Sequence, residues 1–216
     1  MTEWRVVRAR GAVELPIADE RTVRVHVVER PMLVLGRVQS LAAVVDRAAA
    51  AAAGVDVVTR PSGGGAVLLE PGNALWLDAF VPRRDDLWDD DVGRAAWWLG
   101  DAWARAIGGA ARVHRGPMVR TRWSDLVCFA GLGAGEVTAG EGGPKLVGVS
   151  QRRTAAGAWF QCAAMAQWDP VGVLALLDLS PEAREEAADA LVTAANGLPI
   201  PLAEAEGRVL DALAAD

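Results

Sequence analysis

Lysine is nearly absent from this 216-residue chain: Lys145 stands alone, and every other cationic side chain among its 22 basic residues is arginine. Two explanations stay open. An arginine-biased composition left one lysine by chance, or a compact, strongly hydrated ammonium is needed where a planar guanidinium fork does not serve. Histidine is limited to His26 and His114, and cysteine to Cys128 and Cys162. No Cys/His cluster has metal-ligand spacing, so no resident metal is expected. Two cysteines cannot build a disulfide framework, and in a reducing compartment both read as free thiols, inert or reactive. No stretch approaches the roughly 18 apolar residues of a membrane span, and residues 1–10 lack the apolar heart of a signal peptide. A cytoplasmic protein without membrane contact is expected. Basic excess is missing too. A net charge of −6 repels a phosphate backbone, so no nucleic-acid partner is expected.

What is present is apolar material: 52% hydrophobic residues over this length can bury one substantial core, read here as a single domain over 1–216. Strands are expected at 23–28, 32–35 and 55–58, with an alanine-rich helix at 41–53 closed by Gly54. Segments 66–69 and 75–80 read as a hairpin across Pro71-Gly72-Asn73. Asp89, Asp90 and Asp91 mark the start of a helix running to about Ile107, with Trp97, Trp98 and Trp103 on one buried side. Short strands at 126–129, 136–138, 146–149 and 158–164 suggest a second sheet layer or an extension of the first. Short helices follow Pro170 and Ser180-Pro181-Glu182, and a last one spans 204–215. Strands first and helices last favour α+β over a doubly wound sheet.

Ser62-Gly63-Gly64-Gly65-Ala66 lets backbone approach a ligand and aim consecutive N–H groups at negative oxygens. No Gly-Lys-Ser/Thr follows it, and no Gly-x-Gly-x-x-Gly opens a helix, so it is neither a Walker loop nor a dinucleotide fingerprint. Alone, it reads equally as a glycine-rich strand entry. Its neighbours change that. Pro31-Met32-Leu33-Val34-Leu35-Gly36-Arg37, then a helix, then Arg60-Pro61-Ser62-Gly63-Gly64-Gly65-Ala66-Val67, Pro71-Gly72-Asn73 and Lys145-Leu146-Val147-Gly148-Val149-Ser150 occur in an order that resembles the biotin/lipoate protein ligase family over residues 31–165.

The resemblance implies a mixed, largely antiparallel sheet with flanking helices, a glycine loop around the acyl carboxyl end, and a lysine at the reacting carbonyl. Arg60, Ser62, Gly63, Gly64, Gly65 and Ala66 would line the ligand, with Asn73, Gly148 and Ser150 nearby. Lys145 would stabilise charge developing on the carbonyl oxygen. The acyl group would be lipoate or octanoate. The acceptor would be a lysine on the lipoyl domain of a 2-oxoacid dehydrogenase or glycine cleavage protein.

Two chemistries fit the resemblance, the ATP-dependent ligase being the expected one and the cysteine-dependent transferase the alternative. The Gly-Gly-Gly-Ala-Val element followed by Gly-Asn resembles ligases that use ATP and Mg2+ to make an acyl-adenylate, with a separate accessory chain as a further partner. Cys128-Phe129, upstream of Lys145, resembles cysteine-dependent octanoyltransferases, which need no cofactor and draw on octanoyl-acyl carrier protein. Cys128 would hold the acyl group as a thioester, its thiol activated by the ammonium. A small buried hydrophobe is the other reading of Cys128. Several positions depart from the family pattern. Cys162 follows Gln161 where a histidine is common, Thr59 replaces an arginine, and Leu69-Glu70 stand for His-Asp. Glu136, in preference to Asp125, is the candidate for a missing acidic group. These losses keep a third reading open, a non-catalytic acyl or carrier-domain binding scaffold. His26 and His114 receive no role, and Arg152-Arg153 are either a docking patch or solvated.

Overall fold

Alternation along one long strand organises the molecule. In the computed structural model, which describes residues 3–11 and 13–215, strand β6 spans Ala74–Pro82 (numbered by its place in the chain). Leu75, Leu77, Ala79 and Val81 turn to one face, so Trp76, Asp78 and Phe80 must turn to the other. β6 sits inside a seven-stranded sheet in the order β1-β2-β6-β10-β9-β8-β7. Its partners are β1 (Arg5–Arg10), β2 (Thr22–Val27), β7 (Ala111–Val113), β8 (Val137–Ala139), β9 (Lys145–Arg153) and β10 (Gly157–Met165). Only the β1/β2 pairing is parallel. A second sheet of three strands has the order β4-β3-β5, built from β3 (Met32–Leu35), β4 (Asp56–Thr59) and β5 (Val67–Leu69).

Helices α3 (Trp97–Ile107) and α6 (Leu202–Ala214) cover one face of the large sheet, where Leu77, Val81, Leu99, Trp103, Val209 and Leu213 form a common core. Each such side chain contributes about 1.5–3 kcal/mol of transfer free energy. The opposite face meets the small sheet through Trp76, Val34, Val67, Leu69 and Phe129. Leu33 and Leu35 point the other way, into a third cluster with Leu174, Leu177 and Leu191. These last come from α4 (Pro170–Leu174), the segment after it, and α5 (Pro181–Leu191). The architecture is α+β with a largely antiparallel main sheet.

Several elements differ from the sequence expectations, each for a local reason. The expected helix over 41–53 is two, α1 (Leu41–Val44) and α2 (Arg47–Ala52), because Asp46 leaves the helix to cap Ala48 and Ala49 N–H and donates its own N–H to Leu176 O. Residues 89–96 form turns, not helix, since Asp89 and Asp91 accept from Asp91 N and Gly93 N. The expected hairpin does not form. β5 pairs with β3 in the small sheet while β6 pairs with β2 and β10, so Pro71-Gly72-Asn73 carries the chain between layers. The expected strand at 126–129 is one bridge, Val127 to Ala66, followed by a 3₁₀ turn over Cys128–Ala130. The late strands extend the main sheet, and the second layer comes from early ones. Trp103 is fully buried as expected, Trp98 stacks on Trp4 at 5.6 Å, and Trp97 lies half-buried beneath Arg115.

Candidate active site

Strand register lines up two rows of side chains on the face toward the small sheet. Arg24, Asp78, Gln161 and Ser150 stand directly opposite one another across β2, β6, β10 and β9. The next row is His26, Trp76, Ala163 and Gly148. Asp78 is fully buried, which demands donors on both oxygens. Its Oδ1 accepts from Trp76 Nε1 at 2.8 Å and Gln161 Nε2 at 3.2 Å. Its Oδ2 meets His26 Nε2 at 2.7 Å, with the Arg24 guanidinium at 3.8 Å. The His26 ring stacks on Trp76 at 4.1 Å.

The glycine loop packs over this floor around Arg60, itself buried. Arg60 Nη2 donates to Gly63 O at 2.7 Å and Gly65 O at 3.0 Å, Nη1 to Val34 O, and Nε to Ser62 Oγ at 3.1 Å. With those carbonyls held inward, the N–H groups of Gly63, Gly64 and Gly65 find no acceptor among the described residues. Gly64 lies at φ +95°, a region that favours glycine. Gly65 is pressed on the 127–128 backbone so tightly that a Cβ there would fall 2.6 Å from the Val127 carbonyl carbon. Ser62 Oγ bonds Gln161 Oε1 at 2.6 Å and Ser150 Oγ at 2.8 Å, joining the loop to the polar row.

Between loop, small sheet and floor lies a narrow apolar slot. Val34, Val67, Leu69, Trp76 and Ala163 form its greasy walls, and Arg60, Cys128, Gly148, Ser150 and Gln161 its polar end. Cys128 is half-buried there, with Arg60 Nη2 at 4.0 Å from Sγ.

Lys145 is 2% exposed, and its Nζ lies 2.7 Å from Glu136 Oε2, 3.0 Å from the Cys128 main-chain carbonyl and 5.4 Å from the centre of the Phe129 ring. Glu136 is held in turn by Gly133 N at 2.6 Å and Val149 N at 3.1 Å. The ammonium addresses the carbonyl of Cys128, and the cation against its thiol is Arg60. Lys145 reaches the glycine loop only through the Cys128 turn, and it also lines an open cleft with Pro144, Phe129 and Thr193.

Ala66 accepts from Cys128 N and, with Asn73, borders a neighbouring cavity away from the slot. Asn73 Oδ1 accepts from Gln167 N, tying the 71–73 turn to the end of β10. Cys162 points to the helix-covered core, where burial pushes its thiol well up. Asp125 is exposed and paired with Arg120, so of the two acidic candidates only Glu136 lies at the site. Arg153 is no free patch, since it bonds Asp89 O and lies 4.0 Å over Trp88. Asp78, His26 and Gln161 received no role from the sequence. The available signal was an aspartate alternating in phase with Trp76 and Phe80 inside an apolar strand, because a charge in that setting has to be partnered. Among the described residues no cluster of three or more His, Cys, Asp or Glu side chains could hold a metal, and no helix is long and apolar enough to cross a membrane.

Solved structures with this fold include one from an archaeal lipoylation system of Thermoplasma acidophilum, described as a bi-partite lipoate protein ligase and its E2 lipoyl domain. It is 15% identical, with a TM-score of 0.77 over 99% of this chain and 83% of that one. A T. acidophilum protein with bound lipoic acid gives 0.70 at 15% identity, over 98% and 84%. A lipoate-protein ligase A bound with ATP gives 0.69 at 16%, over 98% and 83%. At such identities the likeness establishes the fold. No curated protein sequence matches significantly. The family model for the lipoyl protein ligase A/B catalytic domain matches residues 12–194, and the chain belongs to that family.

Proposed function

We propose that this protein, acting as one catalytic unit, transfers an octanoyl or lipoyl group to a lysine of a lipoyl domain, with Cys128 as the intermediate acyl carrier. One observation carries the reading: a half-buried thiol stands at the polar end of an apolar slot, against Arg60 and beside the glycine loop. The slot would take the acyl tail. The Cys128 thiolate attacks the carbonyl of an octanoyl thioester on acyl carrier protein, a new C–S bond forms, and the carrier leaves as its thiol with the proton Cys128 gave up. The acceptor amine then attacks the Cys128 thioester. The C–S bond breaks, an amide forms, and the amine's proton returns to the cysteine sulfur. The free N–H groups of Gly63, Gly64 and Gly65 are donors available to the oxyanion of each step. Lys145 holds the Cys128 carbonyl and so fixes the turn that aims the thiol.

A second reading, an acyl-adenylate made from ATP and Mg2+, is favoured by the same three unpaired N–H groups, donors of the kind that bind a phosphate. The cations fit it less well. Lys145 is ion-paired with Glu136, and Arg60 already serves four oxygens.

The test incubates the protein and Cys128→Ser with an apo lipoyl domain and either octanoyl-acyl carrier protein or lipoate with ATP and Mg2+, reading acceptor and enzyme masses. Acylation from the carrier protein, a covalent octanoyl adduct on wild type and loss of both in a folded Cys128→Ser are expected. Modification only with ATP, undiminished in Cys128→Ser, refutes the thioester route in favour of the ligase. No modification with either donor leaves a binding scaffold.

A further inference from the structure

The buried carboxylate of Asp78 fixes the direction of every proton in the chain of bonds leading to the slot. Asp78 accepts only, so the Gln161 amide must turn its NH₂ toward it and its oxygen toward Ser62. Ser62 has one proton and must give it to Gln161 Oε1. Its two lone pairs are then taken by Arg60 Nε and by Ser150, whose hydroxyl is forced to be the donor of the 2.8 Å Ser62–Ser150 bond. Ser150 therefore turns lone pairs alone toward ligand.

Ser150 lines two spaces at once. It belongs to the polar end of the acyl slot with Cys128, and to an open groove bounded by Val92, Met118, Gly133 and Gln151 that reaches the surface. A side-chain acceptor whose own proton is already committed, shared by the groove and the slot that holds the thiol, suits a group rich in N–H. It does not suit a carboxylate or thioester oxygen, which would meet lone pairs head on.

We infer that this groove admits the acceptor lysine, and that Ser150 Oγ receives an N–H of its amine and so turns the nitrogen lone pair toward the acyl carbon. Asp78 is then a positioning residue that acts through Gln161 and Ser62. The inference rests on the acyl-transfer reading above but not on the thioester, because an adenylate must meet the same amine.

The experiment separates the two half-reactions. Wild type, Ser150→Ala and Ser150→Thr are loaded with S-octanoyl-pantetheine, and the adduct on Cys128 is followed by mass. Aminolysis by apo lipoyl domain is then timed in single turnover, with octanoyl-adenylate supplied as donor in a parallel arm. Ser150→Ala should slow aminolysis about tenfold more than loading, as expected for one lost hydrogen bond in the transfer step. Ser150→Thr, which keeps the lone pairs, should recover most of the rate. Aminolysis by Ser150→Ala at the wild-type rate overturns the inference, and so does equal slowing of both half-reactions. If wild type forms no adduct, the thioester reading fails and the adenylate arm decides the role of Ser150 alone.

Discussion

The Lys145–Glu136 pair offers a stability test whose size follows from its surroundings. The charges are 2.7 Å apart with side chains 2% and 5% exposed. At an effective dielectric near 20 their gross attraction is about 6 kcal/mol. Desolvating two ions costs several kcal/mol each, so the pair as a whole is close to neutral for stability. Removing one member is different. Glu136→Gln keeps the shape but leaves a buried ammonium with neutral oxygens only, which should cost about 3–5 kcal/mol. For a chain of this length that lowers the melting temperature by roughly 6–20 °C. Lys145→Met leaves Glu136 with its two backbone donors and should cost less. The double variant should recover part of the loss, with a coupling of about 2–3 kcal/mol between the sites. Urea denaturation of the four proteins measures the cycle. A Glu136→Gln variant within about 0.5 kcal/mol of wild type, or additive single losses, refutes the idea that the ammonium depends on this carboxylate.

Adjacent glycines of the loop should respond differently: Gly65→Ala, whose Cβ meets Val127 and Cys128 backbone below 3 Å, should cost about 1–3 kcal/mol. Gly63→Ala, with open space at its Cβ, should melt within about 0.5 kcal/mol of wild type, and equal losses in thermal scans would contradict the packing. Iodoacetamide at pH 8 should label Cys128 and spare Cys162, whose thiol burial pushes up, and prior octanoylation should protect Cys128; peptide masses showing Cys162 labelled at a comparable rate in folded protein would refute this. Burial alone would raise the Asp85 carboxyl, but bonds from Arg21 and Leu87 N–H outweigh it and hold it below its ordinary value. Its stabilisation is thus complete above about pH 4 and lost as pH falls through the lower folded value. The stability gap between wild type and Asp85→Asn should accordingly shrink only below that point, and a gap constant from pH 7 to 2 contradicts the pairing.

The glycine loop, the lone lysine and the cysteine were legible because each is a local departure: three residues without side chains, one ammonium among guanidiniums, one thiol beside Phe129. Their order along the chain sufficed to identify the family and the α+β class. Contacts made by register were not legible. His26 lies 52 residues from Asp78, and Gln161 lies 83 from it, so no spacing links them. The turn at 71–73 was readable as a reversal, but a turn signal says nothing about which sheet receives the next strand. β1 and β7 went unseen because one is an arginine-rich edge and the other only three residues long. The run Asp89–Asp91 reads as a helix start, yet short carboxylates bond neighbouring N–H groups as readily in turns.

What joins the legible parts to the illegible ones is the cost of burying Asp78. A carboxylate facing inward from β6 is tolerable only with donors on its neighbours, and the register supplies them from β2 and β10. Gln161 cannot satisfy Asp78 without presenting its oxygen to Ser62, and Ser62 cannot satisfy Gln161 without taking the proton of Ser150. The polarity of the slot is thus decided some way from the ligand, by a residue that never touches it. Replacing Gln161 with leucine would cut the chain at its middle and release the Ser62 proton toward Ser150. Ser150 could then point its own hydrogen into the slot, turning an acceptor into a donor.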